Sequence, residues 1–249
     1  MTAKYLLSIV SLLIFVVGTT HAEIYFSDDF ESYEDGQEIA NEANAWEVTE
    51  PQDNPVGGGI ASTKQAHSGN TSAMFDAAQN MGFPFAPLTL PDSYAMSTWF
   101  YHDPNQDPQP DAVVILIPDT YPEGGNSWIG MGTRIQAVNL ANYSYRDKLG
   151  SGLYEDSGIP RRQDWVNIVF DVGPDSTGLY LDGKEIYTAT IASSRYSGCQ
   201  MSRTPSWGVQ TGEVFIDDVI LAGTMEEIIA AQAVSSADKL AGAWGAIKK

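Results

Sequence analysis

Two acidic pairs flank the strand-rich part of the chain: Asp28-Asp29, within Phe26-Ser27-Asp28-Asp29-Phe30-Glu31, and Asp217-Asp218, within Phe215-Ile216-Asp217-Asp218-Val219. Paired carboxylates are the groups that glycoside chemistry uses and that hard cations prefer as ligands. Each pair lies in an apolar, strand-like run. Alternation along a strand puts Asp218 on the face of Ile216 and Ile220, and Asp28 on the face of Phe26 and Phe30. A carboxylate on an apolar face needs a counter-charge, hydrogen-bond donors or a metal. Two partners are expected. One is a cation held between the first and last strands by Asp28, Asp29, Glu31, Asp217 and Asp218. The other is a hydrogen-bonded cluster fed by backbone amides or by an arginine such as Arg203.

Strand signals run from Ile24 to Leu221: short stretches rich in valine, isoleucine and aromatics, broken by glycine, proline, asparagine and aspartate. The clearest are Tyr25–Tyr33, Ser72–Asp76, Tyr94–His102, Ala112–Ile117, Trp128–Ile135, Asn142–Tyr145, Trp165–Val172, Gly178–Tyr187 and Glu213–Leu221, with no helical periodicity between them. Asp182-Gly183 has the two-residue pattern of a tight hairpin, whose turn requires positive φ. About ten such strands predict an all-β fold of two packed antiparallel sheets. Trp165, in a strongly alternating strand, is expected in the core. From 224 to 249 the pattern turns helical, with Ser236 or Asp238 placed to cap a second segment; a docked tail or an export or retention signal would read this way.

At the other end, Lys4, the apolar stretch Tyr5 to Val17 and Thr20-His21-Ala22 have the form of a secretory leader over residues 1–22. The expected domain is 23–223, exported, with no second apolar run long enough to span a membrane. The chain has 32 acidic and 13 basic side chains and a formal net charge of −19, a field that repels nucleic acid and anionic membrane surfaces. Arg134, Arg146, Arg161 and Arg162 could form a local basic patch. Cys199 is the single cysteine, so no internal disulfide forms, and it is assigned no chemistry.

The motif order resembles the concanavalin A-like lectin and glucanase jelly rolls, especially the laminin-G-like branch. Trp165-Val166-Asn167-Ile168-Val169-Phe170-Asp171, followed by Gly178-Leu179-Tyr180-Leu181-Asp182-Gly183, is similar to that branch's tryptophan strand and Tyr-x-Asp-Gly hairpin. Asp29-Phe30-Glu31 and Ile216-Asp217-Asp218-Val219 are similar to the two ends of MAM-type extracellular jelly rolls, without their cysteines. The resemblance covers about residues 24 to 222. It implies a jelly-roll sandwich with first and last strands side by side and a structural calcium or similar hard cation at the acidic cluster; no organic cofactor is expected.

The glucanase branch of that family carries Glu-x-Asp-x-x-Glu on one strand, and this pattern is absent. Serine-nucleophile and His-Glu-x-x-His zinc signatures are absent too. Of His21, His67 and His102, only His102 merits weighing as a lyase group, beside Arg134, Gln136, Tyr143 and Tyr145; a solvated or hydrogen-bonded strand-end histidine is the plainer reading. Sugar binding needs aromatic faces flanked by hydrogen-bonding groups. Trp99 and Tyr101 share a strand face, as do Tyr143 and Tyr145, and Trp128 precedes the small Gly130; with Arg134 these form the expected ligand set. The sequence therefore points to an exported, non-catalytic module for an extracellular glycan. A polysaccharide lyase or glycosidase, and an adhesion module for a protein partner, stand as alternatives.

Overall fold

The computed structural model describes residues 23–42, 45–48, 57–76, 79–86, 88–106, 112–118, 128–133, 139–147, 153–190, 196–203 and 212–233. The expected leader and residues 234–249 of the tail lie outside them. In chain order the elements are β1 (Ile24–Asp28), α1 (Ile39–Glu42), β2 (Ile60–Ser62), β3 (Ser72–Phe75), β4 (Asn80–Pro84), β5 (Tyr94–His102), β6 (Ala112–Pro118) and β7 (Ile129–Thr133). There follow β8 (Asn142–Asp147), β9 (Glu155–Pro160), β10 (Val166–Val172), β11 (Thr177–Leu181), β12 (Lys184–Ala189), β13 (Tyr196–Arg203) and β14 (Val214–Ala222). A closing helix, α2, spans 225–233.

The strands form two antiparallel sheets, the expected jelly-roll sandwich. The larger has the order β12, β11, β10, β5, β14, β3, β2, with β1 also on β14; the smaller runs β4, β13, β6, β7, β8, β9. The first and last strands pair, as the resemblance implied, with Asp28 opposite Val219 and Ile24 opposite Ala222. Between the sheets, Met96, Phe100, Ile168 and Phe170 of the larger pack with Val114, Leu116, Met131 and Met201 of the smaller. Cys199 lies in this core, where burial pushes its thiol up to about 12.

Local chemistry explains the best-predicted parts. Asp182 and Gly183 take φ of 50° and 75° in the turn between β11 and β12, the left-handed pair that a two-residue hairpin demands. The β10 alternation puts Val166, Ile168 and Phe170 inward, which sends Trp165 the other way. It packs on the outer face of the larger sheet, 5.5 Å from the Tyr101 ring, and not in the inter-sheet core. On the same outer face α2 buries Ile228 against Ala95, Val169, Ile220 and Ala222. Strands β2, β4, β9 and β13 lack strong sequence patterns: Glu155–Pro160 and Tyr196–Arg203 carry glycine and polar residues and are held mainly by their neighbours' registers.

His102 is shielded from solvent and has no hydrogen-bond partner among the described residues. It is fully buried, its ring edge-on to Tyr143 at 5.5 Å and 5.9 Å from Phe100. Neither ring nitrogen has a partner among the described residues. Burial, with the nearby Arg161 charge, pushes it down to about 3. The unfolded chain binds this proton below about 6.5 and the folded chain does not, so the neutral ring draws stability away as pH falls from about 6.5 toward about 3. His102→Leu should therefore raise the thermal midpoint and flatten its decline on acidification. An unchanged pH slope in melts of the variant would show that the imidazole finds a partner in the native protein.

Candidate functional site

The acidic pair near the end of the chain sits where β14 changes partner along one edge. β3 pairs with Val214, Phe215 and Ile216, and β1 takes over at Val219. Between these contacts β14 bulges against β5: Asp217 faces Trp99 and Ile220 faces Ser97, so three steps on β14 match two on β5. Asp218 adopts the left-handed φ of 46°, which aspartate tolerates better than a branched residue. The extra residue reverses the alternation. Ile216 and Val219 both enter the inter-sheet core while Ile220 turns outward, so Asp218 cannot share a face with both Ile216 and Ile220 as a regular strand would require.

Both carboxylates of the bulge grip the loop between β2 and β3. Asp217 Oδ2 accepts from the amides of His67 at 2.8 Å and Ser68 at 3.1 Å, and Oδ1 from the Asp218 amide at 2.8 Å. Asp218 Oδ2 meets His67 Nδ1 at 2.7 Å, and its Oδ1 accepts from Ser68 Oγ at 2.6 Å. From the other end of the chain, Glu31 Oε1 accepts from the amides of Asn70 at 2.7 Å and Thr71 at 2.8 Å. Gly69 sits under that carboxylate at φ 62°; a Cβ there would lie 2.3 Å from Glu31. Asp28 accepts from the Phe30 amide, Tyr33 hydroxyl and Trp46 indole at 2.8, 3.1 and 2.7 Å.

Backbone and side-chain donors thus account for the burial of Asp28, Asp217 and Asp218, the second of the two partners expected for these acids. Burial raises Asp28, with its three donors opposing. Burial and the adjacent Asp218 charge push Asp217 up to about 8, against the amides that hold it ionised. Calcium takes six to eight oxygens. Among the described residues no group of three or more histidine, cysteine or acidic side chains is placed to hold a metal ion.

The pinned loop walls a cleft of about 490 Å³ on the outer face of the larger sheet. Its polar lining includes Ser27, Asp28, Asp29, Ser68, Asp218 and Gln232, and its apolar lining Ile24, Trp99, Ile220 and Ala231. His67 lies flat on Trp99, ring centroids 3.7 Å apart, with Trp165 edge-on at 5.8 Å. Its Nδ1 is committed to Asp218, and its Nε2 has no protein partner among the described residues. From α2, Gln232 Nε2 donates to Ser97 Oγ at 2.9 Å and so fixes the helix across the sheet.

The expected ligand set separates into three places. Trp99 and Tyr101 do share the outer face of the larger sheet, where Trp99 lines the cleft while Tyr101 is buried against Phe215 and Trp165. Trp128 is nearly buried on the outer face of the smaller sheet, with the Arg146 guanidinium 5.1 Å from its ring and 4.6 Å from that of Tyr154. Tyr143 is fully buried in the inter-sheet core, and Tyr145 stacks on Tyr187 at 5.0 Å. They share a face, but it is the inner one, so they form no exposed platform: the polar residues around them, Ser144 and Arg146, take the outer positions. Arg134 and Gln136 lie outside the described residues. His67, Ser68 and Gln232 were not expected; they occupy a polar loop and a tail helix, where no periodicity marks a site.

No family model and no curated protein matches the sequence. Solved structures match the fold. Domain 4 of AbnA, a GH43 extracellular arabinanase from Geobacillus stearothermophilus, in complex with arabinotriose, aligns at 15% identity and a TM-score of 0.51 over 82% of this chain and 93% of that one. A structure from work on endo-acting O-glycanases of human gut microbiota aligns at 11% identity and 0.54 over 80% and 99%. The globular domain of T. cruzi calreticulin aligns at 12% and 0.52 over 89% and 99%. At these identities the likeness shows the two-sheet β-sandwich fold alone.

The clasp has a pH signature. Asp217 titrates near 3.8 unfolded and near 8 folded, so its contribution is full below about 3.8 and is lost as pH rises through about 8. Asp217→Asn should remove this decline from the pH profile of the thermal midpoint. If wild type and variant lose stability in parallel over that range, Asp217 is ionised throughout and the amides outweigh its burial.

Proposed function

We propose that the protein is an exported, non-catalytic carbohydrate-binding module that takes a saccharide in the cleft beside Trp99. One observation carries this reading: a cavity of about 490 Å³ sets an indole beside hydroxyl, carboxamide and carboxylate groups. A sugar ring presents C–H faces and hydroxyls together, and such mixed linings recognise both. The fold is compatible, since the arabinanase domain of similar architecture is described in complex with arabinotriose. Export rests on the leader-like residues 1–22; among the described residues no helix is long and apolar enough to cross a membrane.

A glycan array tests the reading, with wild type compared against Trp99→Ala and with calcium compared against chelator. At least one saccharide class should bind wild type and lose about tenfold or more in affinity in Trp99→Ala, equivalent to about 1.4 kcal/mol. Retention by neither protein, or by both equally, would overturn the cleft as a sugar site. One feature favours an enzymatic second reading: Asp218 orients His67 through Nδ1 and leaves Nε2 open, the arrangement of a general base. Release of shortened or unsaturated products from any bound saccharide, abolished in His67→Ala, would replace the non-catalytic reading with this one.

A further inference from the structure

The charge of the cleft restricts its ligand further, given the reading of the cleft as a saccharide site. Asp28, Asp29 and Asp218 line it, and no lysine or arginine does among the described residues. These acids differ in how far they are committed. Asp28 accepts from three donors, and Asp218 is bonded to both His67 and Ser68. Asp29 is exposed, and only its Oδ1 accepts, from the Glu31 amide at 3.2 Å. Nearby, His67 Nδ1 meets Asp218 Oδ2 at 2.7 Å, and its Nε2 has no protein partner among the described residues.

The cleft is therefore rich in acceptors and negative charge, and its ligand has to bring donors. A uronate, sialyl or sulfated sugar would meet like charge, with no lysine or arginine among the described lining residues to offset it. A neutral sugar fits, but leaves the open oxygen of Asp29 uncompensated. A protonated amine supplies three donors and the opposite charge, forms the stronger charge-assisted bonds, and is attracted to an indole. The net charge of −19 also steers cations toward the protein. We propose that the cleft binds an amino sugar, a saccharide with a free ammonium group, with Asp29 as its counter-charge and Trp99 as its apolar wall.

The experiment measures binding of three short oligosaccharides of equal length by calorimetry, at one pH below the amine pKa: a β-linked glucosamine oligomer, its N-acetylated form and a uronic acid oligomer. Wild type, Asp29→Asn, Trp99→Ala and Asp175→Asn are compared. Asp175 is exposed in the turn between β10 and β11 and outside the cleft lining, so its substitution removes the same charge without touching the site. The amine form should bind wild type about tenfold more tightly than the acetylated form, and the uronate should not bind. Asp29→Asn should abolish that preference while Asp175→Asn keeps it. Equal loss in both aspartate variants would reduce the effect to overall charge and overturn the proposal. Acetylated or uronic oligomers binding as tightly as the amine would overturn the ligand class while Trp99→Ala still weakened binding, which keeps the sugar site. If no oligomer binds, or if Trp99→Ala weakens none, the sugar-site reading falls and this proposal with it.

Discussion

The amides of His67 and Ser68 have no strand to pair with, and the buried carboxylate of Asp217 accepts from both. Much of the local architecture depends on this interaction. An unpaired buried amide and an unpaired buried carboxylate are each unfavourable; brought together they satisfy one another. The bond joins residues 150 positions apart, so it exists only once the sandwich has closed. Glu31 on Asn70 and Thr71, and Asp35 on Thr63, repeat the same device along the loop. Acids from both ends of the chain thereby hold one segment that makes few strand contacts of its own.

That hold converts a flat sheet face into a cleft. The outer surface of β5 and β14 offers Ser97, Trp99 and Ile220 but no walls. The clasped loop supplies one wall by laying His67 on Trp99, and α2 supplies another by burying Ile228 and bonding Gln232 to Ser97. The bulge at Asp217 and Asp218 matters to both. It turns Ile220 outward beneath α2 and lets adjacent carboxylates reach the same loop, which strict alternation along a strand forbids.

The parts of the fold most legible in the sequence were those set by local chemistry. The β10 run and the Asp182-Gly183 turn needed only alternation and positive φ to be placed, and the pairing of first and last strands followed from the resemblance at both ends. Weakly patterned strands such as β9 and β13 were missed because their neighbours, more than their own propensities, hold them in the sheet. Of the candidate site, Trp99 and Tyr101 were correctly placed on one face. Tyr143 and Tyr145 were too, but period-2 alternation says which residues share a face and never which face is buried. A short polar strand enclosed between β7 and β9 concealed that its tyrosines point between the sheets.

Composition and alternation by themselves determined an acidic all-β sandwich with acids in need of partners, because these follow from side-chain period and from the free energy of burying charge. Only the tertiary structure decided that the partners are the amides and side chains of a distant loop, that His67 and not His102 faces a cleft, and that Trp99 stands apart from Trp128 and the tyrosines. Those outcomes depend on a one-residue bulge and on contacts across more than a hundred positions of chain, and neither leaves a periodic trace in the sequence.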